Sequence, residues 1–319
     1  MPPKSQLCLL VALAVAGVAT AFAGRMDPYF LDVLLSVGVS VVLAASLNLI
    51  NGFTGQFSLG HAGFMAVGAY TAATLTKTIG AKLLPLVGGQ PWVLLPLALV
   101  AGGLTAALSG FLVGAPSLRL KGDYLAIVTL GFGEIIKVIL QNVEFVGGAL
   151  GLNGIPTTLN PAWSGVIVFA TLAAPMLTVY VVWGLLNSTY GRGFLAVADD
   201  EVAAEAMGLN TTRYKITAFV VGAFFAGVAG GLYAHIKGTL TPGGFDFSKS
   251  IEIVVMVILG GMGRHVGVIV AAVLLTVLSE TLRKFGDYRM ILYSVLLIVL
   301  MLTRPQGLFT WPLWKRKAA

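Results

Sequence analysis

From Asn48 to Tyr70 the chain reads NLINGFTGQFSLGHAGFMAVGAY. Gly52, Gly55, Gly60, Gly63 and Gly68 are interleaved there with Asn51, Thr54, Gln56, Ser58 and His61. Glycine weakens a helix by about 1 kcal/mol relative to Ala, and a polar side chain needs a partner wherever water is excluded. A helix facing lipid would not be built this way. The stretch is read as buried in protein or lining a passage, as a broken or partly unwound helix, with Asn51, Thr54, Gln56, Ser58 and His61 as its polar groups. The alternative is a close-packed helix whose glycines only let its neighbours approach.

The sequence around this stretch is far more apolar. The 319 residues are 57% hydrophobic and 10% charged, with a mean hydropathy of +0.93. A soluble domain carries roughly 25% charged residues, so the composition is that of an integral membrane protein. Its apolar runs reach the roughly 20 residues that a helix needs to cross a bilayer, and they lack the alternation of barrel strands. The fold class is therefore all-α: a polytopic helical transmembrane protein of about ten spans, some short or glycine-interrupted. Spans are expected near 7–24, 29–50, 53–75, 92–114, 123–141, 163–186, 216–235, 251–263, 266–281 and 289–303. Residues 1–319 form a single transmembrane domain containing a cytoplasmic loop at 187–215. Ala21-Phe22-Ala23 resembles a cleavage site, but the run from Leu7 to Gly24 exceeds a signal core and is read as a retained span. LGGMGRHVG, Leu259 to Gly267, divides the late apolar stretch into two short pieces, and such interruptions point to a transport pathway.

A net charge of +7 invites a nucleic-acid reading. The basic residues, however, sit in short loops and in Lys315, Arg316 and Lys317, so they report topology and no nucleic-acid partner. With Lys4 cytoplasmic, alternation places Arg119, Lys121, the 191–215 segment and both termini inside. The 142–161 loop, which lacks Lys and Arg, falls outside. RKFGDYR at 283–289 also falls outside, against the positive-inside rule. The one cysteine, Cys8, allows no internal disulfide.

One segment breaks the apolar pattern. Gly191 to Lys215 reads GRGFLAVADDEVAAEAMGLNTTRYK. Asp199, Asp200 and Glu201 suit a helix N-terminus, and Val202, Ala203, Ala206 and Leu209 recur as a small apolar face. Gly208 with Asn210 is a helix stop. A two-turn helix is marginal alone in water and has to dock on something, whether its own protein or a partner.

This segment resembles the cytoplasmic loop of ABC-importer permease subunits, which carries a Glu-Ala-Ala motif followed three residues later by Gly. Ala203, Ala204 and Gly208 match, while the glutamate is displaced to Glu201 with Val202 between. LNLINGFTGQFSLGHAGFMAVGAY, LKGDYLAIVTLGFGEIIKVI, GRGFLAVADDEVAAEAMGLN, KITAFVVGAFFAGVAGGLYA and TRPQGLF narrow the resemblance to LivM-type permeases of branched-chain amino-acid importers. The resemblance implies a coupling helix, with Asp200, Glu201, Ala203, Ala204 and Gly208, seated in an ATP-binding subunit. Ala204 and Gly208 are read as points of close approach without room for added volume. It further implies a bacterial inner-membrane complex with a second homologous permease, two ATP-binding subunits and a periplasmic substrate-binding protein, moving leucine, isoleucine and valine inward. ATP and Mg would belong to the partner subunits, and this chain would need no cofactor or metal of its own.

Glu134, with Lys137 one turn on, is a functional candidate because it is ionisable within a span, and its structural reading is an i, i+3 ion pair. His61 reads as a hydrogen-bonded packing residue before a proton carrier. GAFFAGVAGGL, Gly222 to Leu232, reads as close helix packing. No G-x-x-x-x-G-K-[ST] loop, H-E-x-x-H or nucleophile elbow occurs. The rival readings are an ion-coupled secondary transporter using Glu134 and a membrane-embedded enzyme.

Overall fold

The computed structural model describes residues 3–80, 91–117 and 122–288, with positions 291, 294, 295, 298, 299 and 302 beyond them. Arg119, Lys121, most of the expected span 289–303, TRPQGLF and the basic tail lie outside the described residues. The architecture is helical. Helices α1 Pro3–Ala23, α2 Pro28–Asn48, α3 His61–Thr74, α4 Pro91–Ser117, α5 Asp123–Asn142 and α6 Pro161–Leu186 are followed by α7 Thr189–Asp199 and α8 Glu201–Ala206. Then come α9 Thr211–Lys237, α10 Phe247–Gly260 and α11 His265–Thr281. The two-residue strands β1 (Leu152–Asn153) and β2 (Thr239–Leu240) pair antiparallel.

Six helical stretches among the described residues are long and apolar enough to cross a membrane: Pro28–Phe53, Pro91–Ser117, Tyr124–Asn142, Pro161–Leu186, Thr211–Lys237 and His265–Lys284. This is a multi-pass membrane protein. Trp92, Leu97, Leu104, Leu108 and Leu112 are exposed along α4, which is stable against lipid and costly against water. The count of ten spans is not confirmed. The apolar part of α1 is the shorter stretch Leu9–Ala23. The expected span 53–75 begins at His61, because α2 ends in a π-helical turn, Leu49–Phe53, and residues 54–60 are irregular. The expected helix 251–263 is α10, whose 14 residues rise about 21 Å against a hydrocarbon core of about 30 Å. It ends at Gly260 because Gly261 (φ 89°) and Gly263 (φ 77°) take left-handed conformations in the turn to α11.

The centre of the molecule is α9, packed against α2, α3 and α4. Small residues set these crossings. A Cβ on Gly68 would overlap the backbone of Gly227, and one on Gly230 would overlap the Met65 carbonyl. The reading of Gly222 to Leu232 as a packing surface holds: its glycines bring helix backbones into direct contact, which no larger side chain allows. Phe64 and Phe219 meet edge to face beside this crossing.

Polar contacts distinguish the two ends of the bundle. At one, Lys237 at the end of α9 pairs with Asp32 near the start of α2 at 2.8 Å, and β1–β2 ties the 142–161 loop to the same place. Glu280, paired with Arg283 at 3.0 Å, lines one cavity with Lys237. Arg283 thus shares an end with the 142–161 loop, with the Glu280 carboxylate beside its cation. At the other end lie the break at 54–60, the α10–α11 turn and the arm formed by α7 and α8.

Candidate functional site

The break after α2 is held by its own polar side chains. Thr54 Oγ1 donates to the Ile50 carbonyl at 2.7 Å. Asn51 clasps Ser58 twice, accepting from its backbone N–H at 3.2 Å and donating to its carbonyl at 3.4 Å. Thr129 of α5 accepts from the Leu59 N–H at 3.1 Å. His61 Nε2 lies 2.9 Å from Ser46 Oγ, itself 3.0 Å from the Leu43 carbonyl. Gly55 (φ 67°) supplies the left-handed residue that lets the chain turn. All five polar groups singled out in the sequence are buried.

Four of them, Asn51, Thr54, Ser58 and His61, are hydrogen-bonded within the break or to α2. His61 is bonded to Ser46 through Nε2 only, and its Nδ1 is buried without a partner. Gln56 differs: both its amide atoms are buried without a hydrogen-bond partner. It lines a cavity of about 210 Å³ together with Thr54, Ala198 and the ion pair Glu201–Lys215. The break and the charged loop, about 140 residues apart in sequence, meet in this space. Glycine periodicity and charge patterning, read separately, carry no signal for that meeting.

The arm is built in two steps. α7, which the sequence reading left unassigned, buries Phe194 against Leu49, Phe53, Val182 and Ala218, anchoring the arm to the π turn of α2. Tyr214 crosses Phe194 edge to face, and Gly193 leaves room for the Tyr214 ring. α8 starts at the acidic residues read as its N-terminus, with Asp200 as the cap, and ends at Ala206. Asp200 Oδ1 accepts from the N–H groups of Val202 at 2.9 Å and Ala203 at 3.0 Å. The Gly208 N–H donates to the Glu205 carbonyl and the Leu209 N–H to that of Ala204, a paired glycine cap.

Two side chains fasten α8 to α9. Lys215, buried in α9, donates to Glu201 at 2.6 Å, and Thr211 donates to Glu205 at 2.7 Å. The displaced glutamate thus ties the arm to the central helix. Glu201→Gln would leave a buried ammonium without its charge partner, whereas Lys215→Met would leave a carboxylate that is 23% exposed. Removing one partner of a buried pair costs about 3 to 5 kcal/mol. Glu201→Gln is therefore expected to lower the unfolding temperature more than Lys215→Met, and the double variant should recover part of the loss. Thermal unfolding of the purified protein in detergent checks the order, and equal losses would rule out a dominant role for the buried charge.

The outward face of α8 is apolar and bare. Val202, Ala203, Ala206 and Met207 are exposed, while Ala204 is buried against its own chain. This corrects the sequence reading at one position, Ala204. Ala204 anchors the helix inward, since it falls on the side facing α9. Gly208 takes a left-handed backbone, φ 82°, and has open space around it within this chain, which leaves it accessible to a partner. Met207, 84% exposed, belongs to the outward face and was missed, because it follows the last helical residue and falls outside the periodic pattern.

A family model for the permease component of branched-chain amino acid transport systems matches residues 29–303. The chain belongs to that permease family. The high-affinity branched-chain amino acid transport system permease protein LivM of Salmonella typhimurium is 39% identical, over 95% of this chain and 75% of that protein. LivM of Escherichia coli is 38% identical over the same shares. The permease protein LivH of Escherichia coli is 23% identical, over 89% of this chain and 96% of its own.

Within this permease, Glu134 lies on α5, the least buried of the long spans, and pairs with Lys137 at 2.6 Å. That is the structural i, i+3 pair, and family membership gives the secondary-transporter alternative no support. His235 is also taken up in packing: its ring stands 2.7 Å from the Gly231 carbonyl and 3.1 Å from Thr76 Oγ1. Asn48, which the sequence reading passed over, accepts from the Gly263 N–H at 2.9 Å and joins the α10–α11 turn to α2.

Proposed function

We propose that the chain is the membrane-spanning subunit of an ATP-driven importer that carries leucine, isoleucine and valine into the cytoplasm. The reading is carried by α8: a capped helix on a buried anchor, presenting Val202, Ala203, Ala206 and Met207 with nothing covering them. An exposed apolar face outside the spans favours a protein partner. Two ATP-binding subunits holding ATP and Mg²⁺ would fill that role, one of them seated on α8. A second homologous permease and a periplasmic substrate-binding protein would complete the complex in a bacterial inner membrane, with both termini cytoplasmic. The Gln56 cavity adds a route from this arm to the helix break: movement of α8 pulls on Glu201 and Lys215, which share that cavity with Gln56 and Thr54. The break is the pathway-side element of the coupling, and Asn51, Thr54, Gln56, Ser58 and His61 are its internal frame.

The test is uptake of radiolabelled leucine by vesicles containing the complete complex. Uptake is expected to need ATP and the binding protein and to persist when the proton gradient is collapsed. Glu134→Gln should keep at least half of the rate, since it removes only a half-exposed ion pair of small energetic value. Strict dependence on the gradient, together with an inactive Glu134→Gln variant, would overturn the reading in favour of ion coupling.

A further inference from the structure

A second cavity lies at the opposite end of the bundle from the arm. It measures about 160 Å³ and is formed by five helices: Ser36, Val39 and Ser40 of α2, Met65 of α3, Tyr233, Ile236 and Lys237 of α9, Lys249 and Glu252 of α10, and Thr276, Ser279 and Glu280 of α11. Charges of both signs stand beside an apolar floor. Lys249 pairs with Glu252 at 2.9 Å and Glu280 with Arg283 at 3.0 Å, while Val39 and Met65 are buried beneath. Ionisable residues brought together inside a helical bundle mark a functional site by default.

Ser40 supplies an independent sign. Several buried hydroxyls elsewhere turn back onto their own backbone: Thr76 onto Ala72, Ser117 onto Val113, Thr171 onto Ile167 and Thr178 onto Ala174, while Thr74 Oγ1 is buried without a partner. Back-bonding of this kind is the ordinary resting state of a helical Ser or Thr. Among the described residues, Ser40, 7% exposed and lining the cavity, makes no such bond. Its Oγ keeps some exposure, so the hydroxyl is free to bond whatever enters the cavity.

We propose that this cavity is a low-affinity transit site, within this one subunit, for a zwitterionic amino acid with a branched aliphatic side chain. The proposal rests on the importer reading and assigns a place to its substrate. Lys249 has ammonium donors beyond the one given to Glu252, and these would receive the substrate carboxylate. Glu252 and Glu280 would accept from its ammonium, Ser40 would add a neutral bond, and Val39, Met65 and Ile236 would take the aliphatic chain. Each charge already has a protein partner, so a zwitterion exchanges one neutral arrangement for another. Weak binding and ready release follow from that balance.

The experiment uses the complete complex in vesicles, and the same complex in detergent without the binding protein. Equilibrium dialysis with labelled leucine is expected to show saturable binding in the millimolar range. Valine and isoleucine should compete, but 4-methylpentanoate, which lacks the ammonium, and isoamylamine, which lacks the carboxylate, should not. Glu252→Gln should weaken leucine binding at least tenfold. Ser40→Leu, which fills the floor, should depress vesicle uptake of leucine at least fivefold more than that of alanine. Import of leucine by the wild-type complex with no saturable binding, or equal competition by the amine or the acid, overturns the site alone. Unchanged leucine-to-alanine selectivity in Ser40→Leu does the same. Absence of ATP-dependent import of any branched-chain amino acid overturns the site and the function together.

Discussion

Gly227→Leu is expected to abolish the folded protein. A Cβ at this position would stand 2.5 Å from the Ala106 Cβ and 2.6 Å from the Gly102 carbonyl oxygen, and both neighbours belong to a helix that cannot move independently. α4 is also pressed against α3, where a Cβ on Gly102 would come 2.7 Å from the Gly68 carbonyl oxygen. Relief at Gly227 would separate α9 from α4 and open the contacts of both with α3. Overpacking in a close-packed interior costs about 1 to 3 kcal/mol for a few methylenes. Here the added atoms meet backbone, which cannot change rotamer, so the cost should exceed that range. Size-exclusion chromatography of the detergent-solubilised protein should show no monodisperse peak. Gly131→Ala is the control, because a Cβ added there, on the exposed face of α5, would have nothing within 4 Å. A Gly227→Leu protein that unfolds at the wild-type temperature would refute the direct backbone crossing.

The second large effect belongs to Ala203. Ala203→Trp should leave the protein folded and inserted but reduce uptake and binding-protein-stimulated ATP hydrolysis at least tenfold. Ala203 is exposed on α8, so an indole there displaces no packed side chain of its own helix seat but would fill a partner's groove. Ala204→Trp contrasts with it. That position is 5% exposed, and the larger side chain should dislodge α8 from α9, lowering stability as well as uptake. Copurification of the ATP-binding subunit, read beside the unfolding temperature, separates the two variants. Wild-type uptake in Ala203→Trp would mean that the partner sits elsewhere on the arm.

The charged loop shows how far pattern reading reaches. Its existence, acidic start and glycine stop were legible, because capping chemistry is local: a carboxylate within two or three residues of free N–H groups, and a glycine where the backbone must turn left-handed. Which of its alanines face outward was not legible. Ala203 and Ala204 are chemically identical neighbours about 100° apart on the helix, and only the seat on α9 decides that one is buried. Gly208 adds a left-handed backbone with open space around it within this chain.

The break from Asn51 to His61 was likewise legible as something other than a lipid-facing helix. Three glycines and five polar side chains in eleven residues do not make a helix that hydrocarbon can satisfy. The direction in which those side chains point depends on partners far away in sequence: Thr129 for Leu59, Ser46 for His61, and the Glu201–Lys215 pair across the cavity from Gln56. Span boundaries divided in the same way. Long apolar runs such as α6 and α9 could be placed from hydropathy, since the bilayer acts on every residue independently. The start of α3 and the halves α10 and α11 could not, since a helix stops where tertiary hydrogen bonds, such as Asn48 to Gly263, replace its own.

By itself, then, the sequence determined the membrane class, the helical fold and the location of the irregular segments, all consequences of composition and of interactions within a few residues, while the family followed from resemblance alone. The tertiary structure alone decided which atoms of those segments are already bonded, which lack a partner, and that the helix break and the arm share one cavity. Those outcomes depend on distances between residues that the chain brings together only after its helices have packed.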